Sequence, residues 1–366
     1  MRAMIVKEFR QLRRDRRTLA MMIVMPVLLL VVLGYAASFD VSVIPTVVAG
    51  PGAETVAAAL PRAQFDIVAT NTSAEDATAW AQAQLRDGRA GVAIVAAGAR
   101  SRIYLDGSQL FTAQAAERGL ASLQGGSAAG TGALAAASSG GSSPRGSTVG
   151  AASISILYNP QLKTSYVMIP GLAGVILVFV GTVITSLGVV RERQAGTLEQ
   201  LAVMPLRPAD VYLGKIVPYF AVAAVDLAIV LAVGVAVFGV PFHGSAAVFG
   251  LGALLFVFVT LGIGVLISSV SQTQGQAIQL AIMTLLPQVL LSGLIFPLSS
   301  IVAGVRWIAY LLPLTYFTEI ARGVMLRAQP ITSLWAPFAY LALLGTAVTI
   351  LATLRFRSFL TPRAGR

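Results

Sequence analysis

Residues 18–39 read TLAMMIVMPVLLLVVLGYAASF, a stretch of 22 residues that contains no charged side chain. At 1.5 Å per residue, a helix of this length reaches about 33 Å, which exceeds the roughly 30 Å hydrocarbon core of a bilayer. The stretch is also longer than the apolar region of a secretory signal, which is typically about 7–15 residues. We therefore expect a retained membrane span rather than a cleaved leader.

Five further stretches of similar apolar character follow along the chain. They predict spans at 167–190, 216–240, 246–270, 277–296 and 334–354. Another apolar run, 301–314, is shorter and is interrupted by Arg306 and Pro313, which is typical of a re-entrant or interfacial segment. Of all residues, 56% are hydrophobic and only 11% are charged, against about 25% charged in soluble domains. We predict a polytopic α-helical membrane protein with six spans plus a re-entrant segment, and an ordinary soluble enzyme is excluded.

The basic residues predict the orientation of the spans. Residues 1–17 carry seven basic and two acidic side chains, and residues 191–215 carry four basic and three acidic ones. The chain after residue 354 carries four basic side chains and no acidic one. The segment 40–165 carries eight of each and is neutral. Because positive loops stay on the cytoplasmic side, both termini should be cytoplasmic in a plasma (cell inner) membrane. Topology thus explains the net charge of +11, and no nucleic-acid partner is expected.

The segment 40–165 predicts a small extracytoplasmic α/β domain between the first two spans. Alternation and turn residues indicate strands and helices, which we place as follows: strands at 42–48, 65–70, 91–95 and 103–105, and helices at 74–86 and 110–123. In residues 125–153, 26 of 29 are Gly, Ala, Ser, Thr or Pro. We interpret this stretch as a flexible linker. A five-span transmembrane domain, 166–366, follows.

Polar residues within the predicted spans are candidates for a substrate path. Asp226 lies near the centre of the third span, where a charge is costly unless it faces protein, water or a partner. It is either a path residue or a buried structural carboxyl. The other candidates are uncharged polar residues: Thr182, Thr185 and Ser186 in the second span, and Gln279, Thr284, Gln288 and Ser292 in the fifth. Hydrogen bonds between helices explain them nearly as well. Glu319 and Arg322, three residues apart, are expected to pair locally.

Two cytoplasmic segments are candidates for coupling to a partner. Residues 1–17 predict a basic amphipathic helix on the inner leaflet, which either attracts anionic membrane lipid or also takes part in coupling. Residues 190–215 read VRERQAGTLEQLAVMPLRPADVYLGK, a short charged helix interrupted by Gly196 and by the prolines at 205 and 208. Periodicity alone favours a solvated loop over a rigid lever here.

Several motifs resemble those of the ABC type-2 permease family, the membrane subunits of ATP-binding-cassette exporters. In chain order they are YNP at 158–160, IPG at 169–171, RERQAGTLEQL at 191–201, PLR at 205–207, LGK at 213–215, SGLIFP at 292–297, PLTY at 313–316 and RG at 322–323. The resemblance covers nearly the whole chain in order. The inserted α/β domain is only generically similar.

This resemblance implies a permease that pairs with a second copy or a close relative, above two copies of a separate ATPase subunit. The loop 191–213 would then be the coupling loop, with these contact residues: Arg191, Glu192, Arg193, Gly196, Thr197, Glu199 and Gln200. The re-entrant segment 297–316 would help to close an outer gate formed by Phe296, Pro297 and Tyr316. ATP and Mg²⁺ are expected in the partner subunit.

The chain itself is not expected to catalyse a reaction. Among its three lysines only Lys163 precedes a threonine, and it follows Leu162 rather than glycine, so no P-loop is present. Cysteine is absent and His243 is the single histidine, which disfavours a membrane-embedded enzyme, and no cofactor is expected. We therefore expect an exporter subunit for an apolar or amphipathic substrate such as a drug, lipid or glycolipid. The alternative is an ion- or proton-driven carrier that uses Asp226.

Overall fold

The structure is a computed structural model that describes residues 43–97, 100–125, 153–194 and 208–360. The predicted N-terminal helix 1–17 and first span 18–39 lie outside the described residues, as does nearly all of the predicted linker 125–153. The described chain forms an α/β module followed by a bundle of helices.

The α/β module contains a five-stranded sheet with three helices. The strands are β1 (Ile44–Ala49), β2 (Phe65–Asn71), β3 (Val92–Ala97), β4 (Arg100–Asp106) and β5 (Ser153–Leu157), and the helices are α1 (Ala53–Ala59), α2 (Ala77–Arg86) and α3 (Leu110–Gly125). The strand order is β2-β1-β3-β4-β5. Neighbouring strands are parallel except β3 and β4, which pair antiparallel.

Alternation along β1 explains why helices cover both faces of this sheet. Ile44 and Val48 are buried against α1 and α3, whereas Val47 and Ala49 are buried against α2 on the opposite face. A strand that is covered on both faces reads as an almost continuous apolar run, and the β1 sequence IPTVVA does so.

Four predicted strands coincide with β1 to β4 within a few residues, and both predicted helices coincide with α2 and α3. The sequence analysis missed α1 and β5. β5 has only five residues, SISIL, and directly follows the stretch rich in small residues. Its strand signal is therefore local and weak, and its parallel pairing with β4 depends on a partner about fifty residues earlier.

The bundle begins with one long helix and continues through seven more helical elements. In order they are α4 (Thr164–Val178), which runs through a π-helical segment (Phe179–Ile184) into α5 (Thr185–Gln194), α6 (Pro208–Ala236), α7 (Ala246–Val270), α8 (Gln274–Leu291), a 3₁₀ turn (Leu298–Ser300), α9 (Ala303–Ala309), α10 (Pro313–Met325) and α11 (Trp335–Leu360). Within the described ranges, four helical stretches are long and apolar enough to cross a membrane. They are Thr164–Gly188, Tyr219–Ala236, Ala246–Val270 and Trp335–Arg355.

The helix α8 differs from the fifth span predicted at 277–296. It begins at Gln274 and ends at Leu291, and it is not one of the four stretches. Gly293 adopts a φ of +79°, a left-handed backbone conformation that glycine adopts more readily than other residues. A residue in this conformation commonly ends a helix. The last residues of the predicted span therefore form an irregular segment that leads into the 3₁₀ turn.

The short helix α10 is enclosed by the longer helices. Its 13 residues reach only about 20 Å, which is too short to cross a bilayer core of about 30 Å. Phe317 stacks on Phe256 of α7 with ring centroids 4.4 Å apart, and Val324 lies against Gly244 just before α7. Since its start contacts the middle of α7 and its end lies at the start of α7, α10 runs antiparallel to α7.

The bundle has two distinguishable ends. At one end, Gln274 Nε2 donates to Gln194 Oε1 at 2.8 Å, which places the end of α5 beside the start of α8. At the other end, the backbone N–H of His243 donates to the carbonyl of Met325 at 3.0 Å. The α/β module lies at this second end, where Arg327 pairs with Asp106. The end of α5 and the module are thus at opposite ends of the bundle.

Candidate functional site

The hydroxyl residues predicted to line a path in the second span are buried between helices. Thr182 donates to the carbonyl of Val178 at 2.6 Å, and Ser186 donates to that of Val183 at 2.9 Å. A Cβ added to Gly264 of α7 would overlap the carbonyl oxygen of Gly181 and lie 3.0 Å from the Cβ of Thr185. These hydroxyls therefore face a tight helix–helix contact.

The candidates on and after α8 lie in different surroundings. Thr284 is partly buried and donates to the carbonyl of Leu280 at 2.9 Å, and Gln279 is also partly buried. Gln288 is fully buried, and neither of its amide atoms has a hydrogen-bond partner among the described residues. Ser292 is buried at the end of the helix and lines a cavity. The structure thus places only Ser292 of these candidates at that cavity.

Asp226 is partly buried on α6, whose outer surface is strongly apolar. Val222, Val225 and Ile229 on the same helix are exposed. Among the described residues, Asp226 has neither an ion-pair partner nor a hydrogen-bond partner. It lies apart from the other predicted path residues, and its role as a path or structural residue stays a prediction.

The three predicted coupling residues that the structure describes lie at the end of the bundle away from the module. Arg191 is exposed on α5, and Glu192 and Arg193 follow on the same helix. Gly196, Thr197, Glu199 and Gln200 lie outside the described residues. The hydrogen bond between Gln194 and Gln274 joins the end of α5 to the start of α8. Leu187 of α5 also packs with Ile267 of α7 and Ala281 of α8.

The three predicted gate residues do not form one cluster. Phe296 is buried with Leu291, Ile301 and Ala309, and Pro297 caps the 3₁₀ turn. Tyr316 stacks on Tyr340 of α11 with centroids 5.0 Å apart and donates to the carbonyl of Tyr310 at 2.6 Å. Their function as a gate stays a prediction.

A cavity of about 320 Å³ lies between the α/β module and the bundle. We call it the junction cavity. The bundle contributes residues from the start of α4, the segment after α8, and α10, together with Arg327: Val167, Met168, Ser292, Gly293, Leu294, Pro297, Leu298, Ser299, Thr315, Thr318, Glu319 and Arg322. The module contributes residues next to β1, β3 and α3: Pro45, Gly88, Ala90, Gly91, Ser108, Gln109, Leu110, Phe111 and Thr112.

One face of α10 supplies the polar wall of this cavity. Thr315, Thr318, Glu319 and Arg322 follow the spacing i, i+3, i+4 and i+7, which places them along one side of a helix. The intervening residues, such as Phe317 and Val324, pack into the core of the bundle. A polar helix face usually meets bulk water, but this one faces a cavity beneath the module.

Arg322 fixes the break after α8 rather than pairing with Glu319. Its guanidinium donates to three backbone carbonyls, those of Val167 at 3.2 Å, Gly293 at 3.1 Å and Leu294 at 3.0 Å. The ion pair predicted between Glu319 and Arg322 is not among the ion pairs of the described residues, so this prediction is wrong. The carbonyls of Gly293 and Leu294 belong to irregular backbone that follows α8, and the planar fork of arginine suits such acceptors.

Three of the motifs that carry the family resemblance meet at this point. Gly171 of the IPG motif has no room for a Cβ because the side chain of Leu294, from the SGLIFP motif, packs against it. Arg322 of the RG motif bonds to the carbonyl of Leu294. These motifs meet only in the folded chain, since more than a hundred residues separate IPG from the other two.

A buried ion pair joins the bundle to the module. Arg327 Nη1 lies 3.5 Å from Asp106 Oδ2, and the two side chains are 6% and 0% exposed. Gly88, at a φ of +72°, leaves space for this guanidinium, because a Cβ there would lie 2.6 Å from Arg327 Nη1. Gln329 also donates to the carbonyl of Arg86, and Ser333 donates to Asp87 at 3.0 Å. The loop after α10 therefore holds the module on the bundle.

Asp106 is the last residue of β4 and anchors the turn that follows it. Its Oδ1 accepts from the backbone N–H of Ser108 at 3.0 Å and from the Ser108 hydroxyl at 2.6 Å. Burial raises the pKa of the Asp106 carboxyl above its usual range, and the positive charge of Arg327 opposes this rise. Asp106 thus depends on Arg327 to remain a buried carboxylate.

The sequence analysis missed Thr318, Arg327 and Asp106 as site residues. The polar spacing on α10 was visible in the sequence, but its direction depends on the neighbouring helices. No group of three or more His, Cys, Asp or Glu residues capable of holding a metal occurs within the described ranges.

Comparison with known proteins identifies the family to which the chain belongs. The model of the ABC-2 family transporter protein matches residues 16–354. The chain is 34% identical over 178 residues to the probable multidrug ABC transporter permease YbhR of Escherichia coli (strain K12), covering 49% of this chain and 48% of the relative. It is 33% identical over 204 residues to the inner membrane transport permease YhhJ of the same organism, covering 55% and 54%.

A less similar relative is a much longer protein. The chain is 28% identical over 169 residues to ABC transporter G family member 20 of Dictyostelium discoideum, which covers 46% of this chain and 23% of the relative. Against the bacterial relatives above, the matched region spans about half the length of each protein.

Proposed function

The chain belongs to the ABC-2 transporter family, and from this premise we propose that it is the transmembrane permease subunit of an ABC exporter. The observation that carries the proposal is the family match across residues 16–354, on a chain with four described helices suited to a membrane. The cargo would be an apolar or amphipathic molecule, moved out of the cytoplasm or the inner leaflet. ATP hydrolysis, with its Mg²⁺, would take place in a separate ATPase subunit.

In the proposed topology, residues 18–39 and the region of α8 add two spans to the four described ones. The α/β module lies outside the cell membrane, and both termini and the loop 191–213 are cytoplasmic. The positions of the module and of the end of α5 at opposite ends of the bundle support this arrangement. The segment 297–316, which ends in the first turn of α10, forms the re-entrant region of the outer leaflet together with the rest of this short helix.

We infer that two ATPase subunits dock at the loop 191–213 of two permease copies, either identical or closely related. Their closure on ATP would push the end of α5. The hydrogen bond from Gln274 to Gln194 links α5 to α8, and Arg322 links the far end of α8 to α4 and α10. Motion at the cytoplasmic end would thereby reach the junction cavity through helices that are held at both ends.

Co-purification tests the proposal. The tagged full chain is expressed with the ATPase from its own gene neighbourhood, and the variant Glu199→Arg reverses a charge in the proposed coupling loop. We expect the parent to retain the ATPase and the variant to lose it. Glu117→Arg, a matched reversal at an exposed position of α3 in the module, should behave as the parent does.

Transport in membrane vesicles separates this function from the carrier alternative. Uptake that requires ATP and survives collapse of the ion gradients supports the ABC subunit. Uptake that stops with the gradients while ATP is maintained, and that is lost in Asp226→Asn, would assign the chain to ion- or proton-driven transport instead.

A further inference from the structure

Three charged side chains line the junction cavity, Glu319, Arg322 and Arg327, and the two arginines are already engaged. Asp106 and Arg327 form an ion pair. Arg322 donates to three backbone carbonyls. Glu319 lines the same cavity, its side chain is exposed to it, and it has no ion-pair or hydrogen-bond partner among the described residues. The positive charge of Arg327 attracts the Glu319 carboxylate, but no cation of the described residues forms an ion pair with it.

Two hydroxyl groups beside Glu319 also lack partners. Ser292 and Thr318 line the cavity, each is only 2% exposed, and neither side-chain oxygen has a hydrogen-bond partner among the described residues. An unpaired buried hydroxyl is costly, so two of them beside one cavity point to a polar group that occupies the space. They lie on two different elements, the end of α8 and α10, which both face the cavity.

The remaining bundle walls are apolar. Val167, Met168, Leu294 and Leu298 line the space beside the polar face of α10. The volume of about 320 Å³ is at the lower end of the range of small-molecule sites, roughly 300–1,000 Å³. It accommodates the headgroup of an amphiphile and the adjoining part of its apolar body.

We propose that the junction cavity binds the cationic headgroup of a lipophilic amine, with Glu319 as its counter-ion and Ser292 and Thr318 as hydrogen-bond partners. A cation is favoured over an anion because both arginines are already engaged, whereas the carboxylate is not. An organic cation has weaker hydration than a small metal ion and brings its own apolar surface to the apolar wall. The proposal rests on the proposed function only for the further step, that this bound amine is cargo.

Equilibrium binding to the full chain in lipid nanodiscs tests the site without an ATPase or transport. The probe is rhodamine 6G, a fluorescent lipophilic cation, followed by fluorescence anisotropy, and Nile red serves as a neutral probe of similar size. We expect Glu319→Gln to lower the affinity for rhodamine 6G at least tenfold and to change the affinity for Nile red less than twofold. Glu319→Asp should retain most of the cation affinity, and Glu117→Gln, an exposed carboxylate on α3, should leave both affinities unchanged.

A second variant covers the case in which Glu319→Gln does not fold. Met168→Trp fills the cavity from its apolar wall and should also abolish rhodamine 6G binding. Equal rhodamine 6G affinity in the parent and in either folded variant overturns the proposal. So does tighter binding of a fluorescent fatty acid than of rhodamine 6G, which would assign the cavity to anions.

The two proposals fail separately. Loss of rhodamine 6G binding in Glu319→Gln, in a chain that never associates with an ATPase, supports the cation site and contradicts the exporter function. ATP-driven transport by a complex whose Glu319→Gln variant binds the cation normally would support the exporter function and contradict the cation site.

Discussion

Two sets of polar residues share one spacing and have opposite surroundings. Thr182, Thr185 and Ser186 follow i, i+3 and i+4 in the first long helix, and Thr315, Thr318 and Glu319 follow the same spacing in α10. The first set lies against α7, where Gly181 and Gly264 let the two backbones meet. The second lines the junction cavity. Helical spacing therefore identifies a shared face, whereas the neighbouring helix decides whether that face meets protein or open space.

The largest expected effect belongs to the ion pair beside the second set. Arg327→Met leaves the Asp106 carboxylate buried without its cation, and breaking such a pair from one side typically costs about 3–5 kcal/mol. We expect the thermal unfolding midpoint of the detergent-solubilised chain to fall sharply, and the module to become sensitive to protease. Arg89→Met, at an exposed arginine of the module, is the control. Indistinguishable midpoints for the two variants would show that the pair does not hold the module.

A smaller effect is expected at the tight contact of the first set. A methyl group at Gly264 would overlap the carbonyl oxygen of Gly181, so Gly264→Ala should force the helices apart and cost about 1–3 kcal/mol. Gly250→Ala lies on the same helix with nothing within 4 Å of the added carbon, and should be neutral or slightly stabilising. Unfolding midpoints of the two variants measure the difference. A loss of equal size at both positions would contradict the close packing.

The pH dependence of the Arg327→Met variant sharpens the description of Asp106. Burial already raises the pKa of this carboxyl, and loss of Arg327 removes the attraction that opposes the rise. The folded state then holds the proton more tightly than the unfolded chain does. Its contribution to stability is complete below the ordinary aspartate pKa of about 4 and is lost as the pH rises through the raised value.

The stability deficit of Arg327→Met relative to the parent should therefore be smaller at pH 5 than at pH 8. Unfolding midpoints at both pH values measure it. The double variant Arg327→Met with Asp106→Asn should show the same deficit at both. A deficit that grows toward acid pH would reverse the sign argued here.

The smallest expected effects differ in sign between the two sets. Thr182→Val removes a hydroxyl that donates to the carbonyl of Val178 and should cost about 0.5–1.5 kcal/mol. Thr318→Val removes a buried hydroxyl that has no partner among the described residues, so the empty protein should gain stability by a similar amount. Changes of the same sign in both variants would show that the two hydroxyls have equivalent surroundings.

The membrane character and the family were predictable from the sequence, and the comparisons confirm the family. Four of the predicted spans coincide with helices that are long and apolar enough, because long apolar stretches with at most one charge leave few alternatives. The fifth predicted span was less accurate, since Gly293 ends α8 early. The order of strands in the module was not predictable, because pairing between β1 and β3 joins residues more than forty positions apart.

The candidate site depended on the tertiary structure to a greater extent. Ser292 was the one predicted path residue found at the junction cavity, and the predicted pair of Glu319 with Arg322 was wrong. Arg322 instead bonds to Val167, 155 residues away, and Arg327 pairs with Asp106, 221 residues away.

The sequence by itself determined which segments favour lipid, which strands alternate, and which family motifs are present. These properties follow from the local hydrophobicity and spacing of residues along a chain. Only the tertiary structure decided that one polar face of α10 borders a cavity while a similarly spaced face beside α7 is closed. The physical reason is that space between elements depends on how closely their backbones approach, and that distance depends on side chains far apart in the sequence.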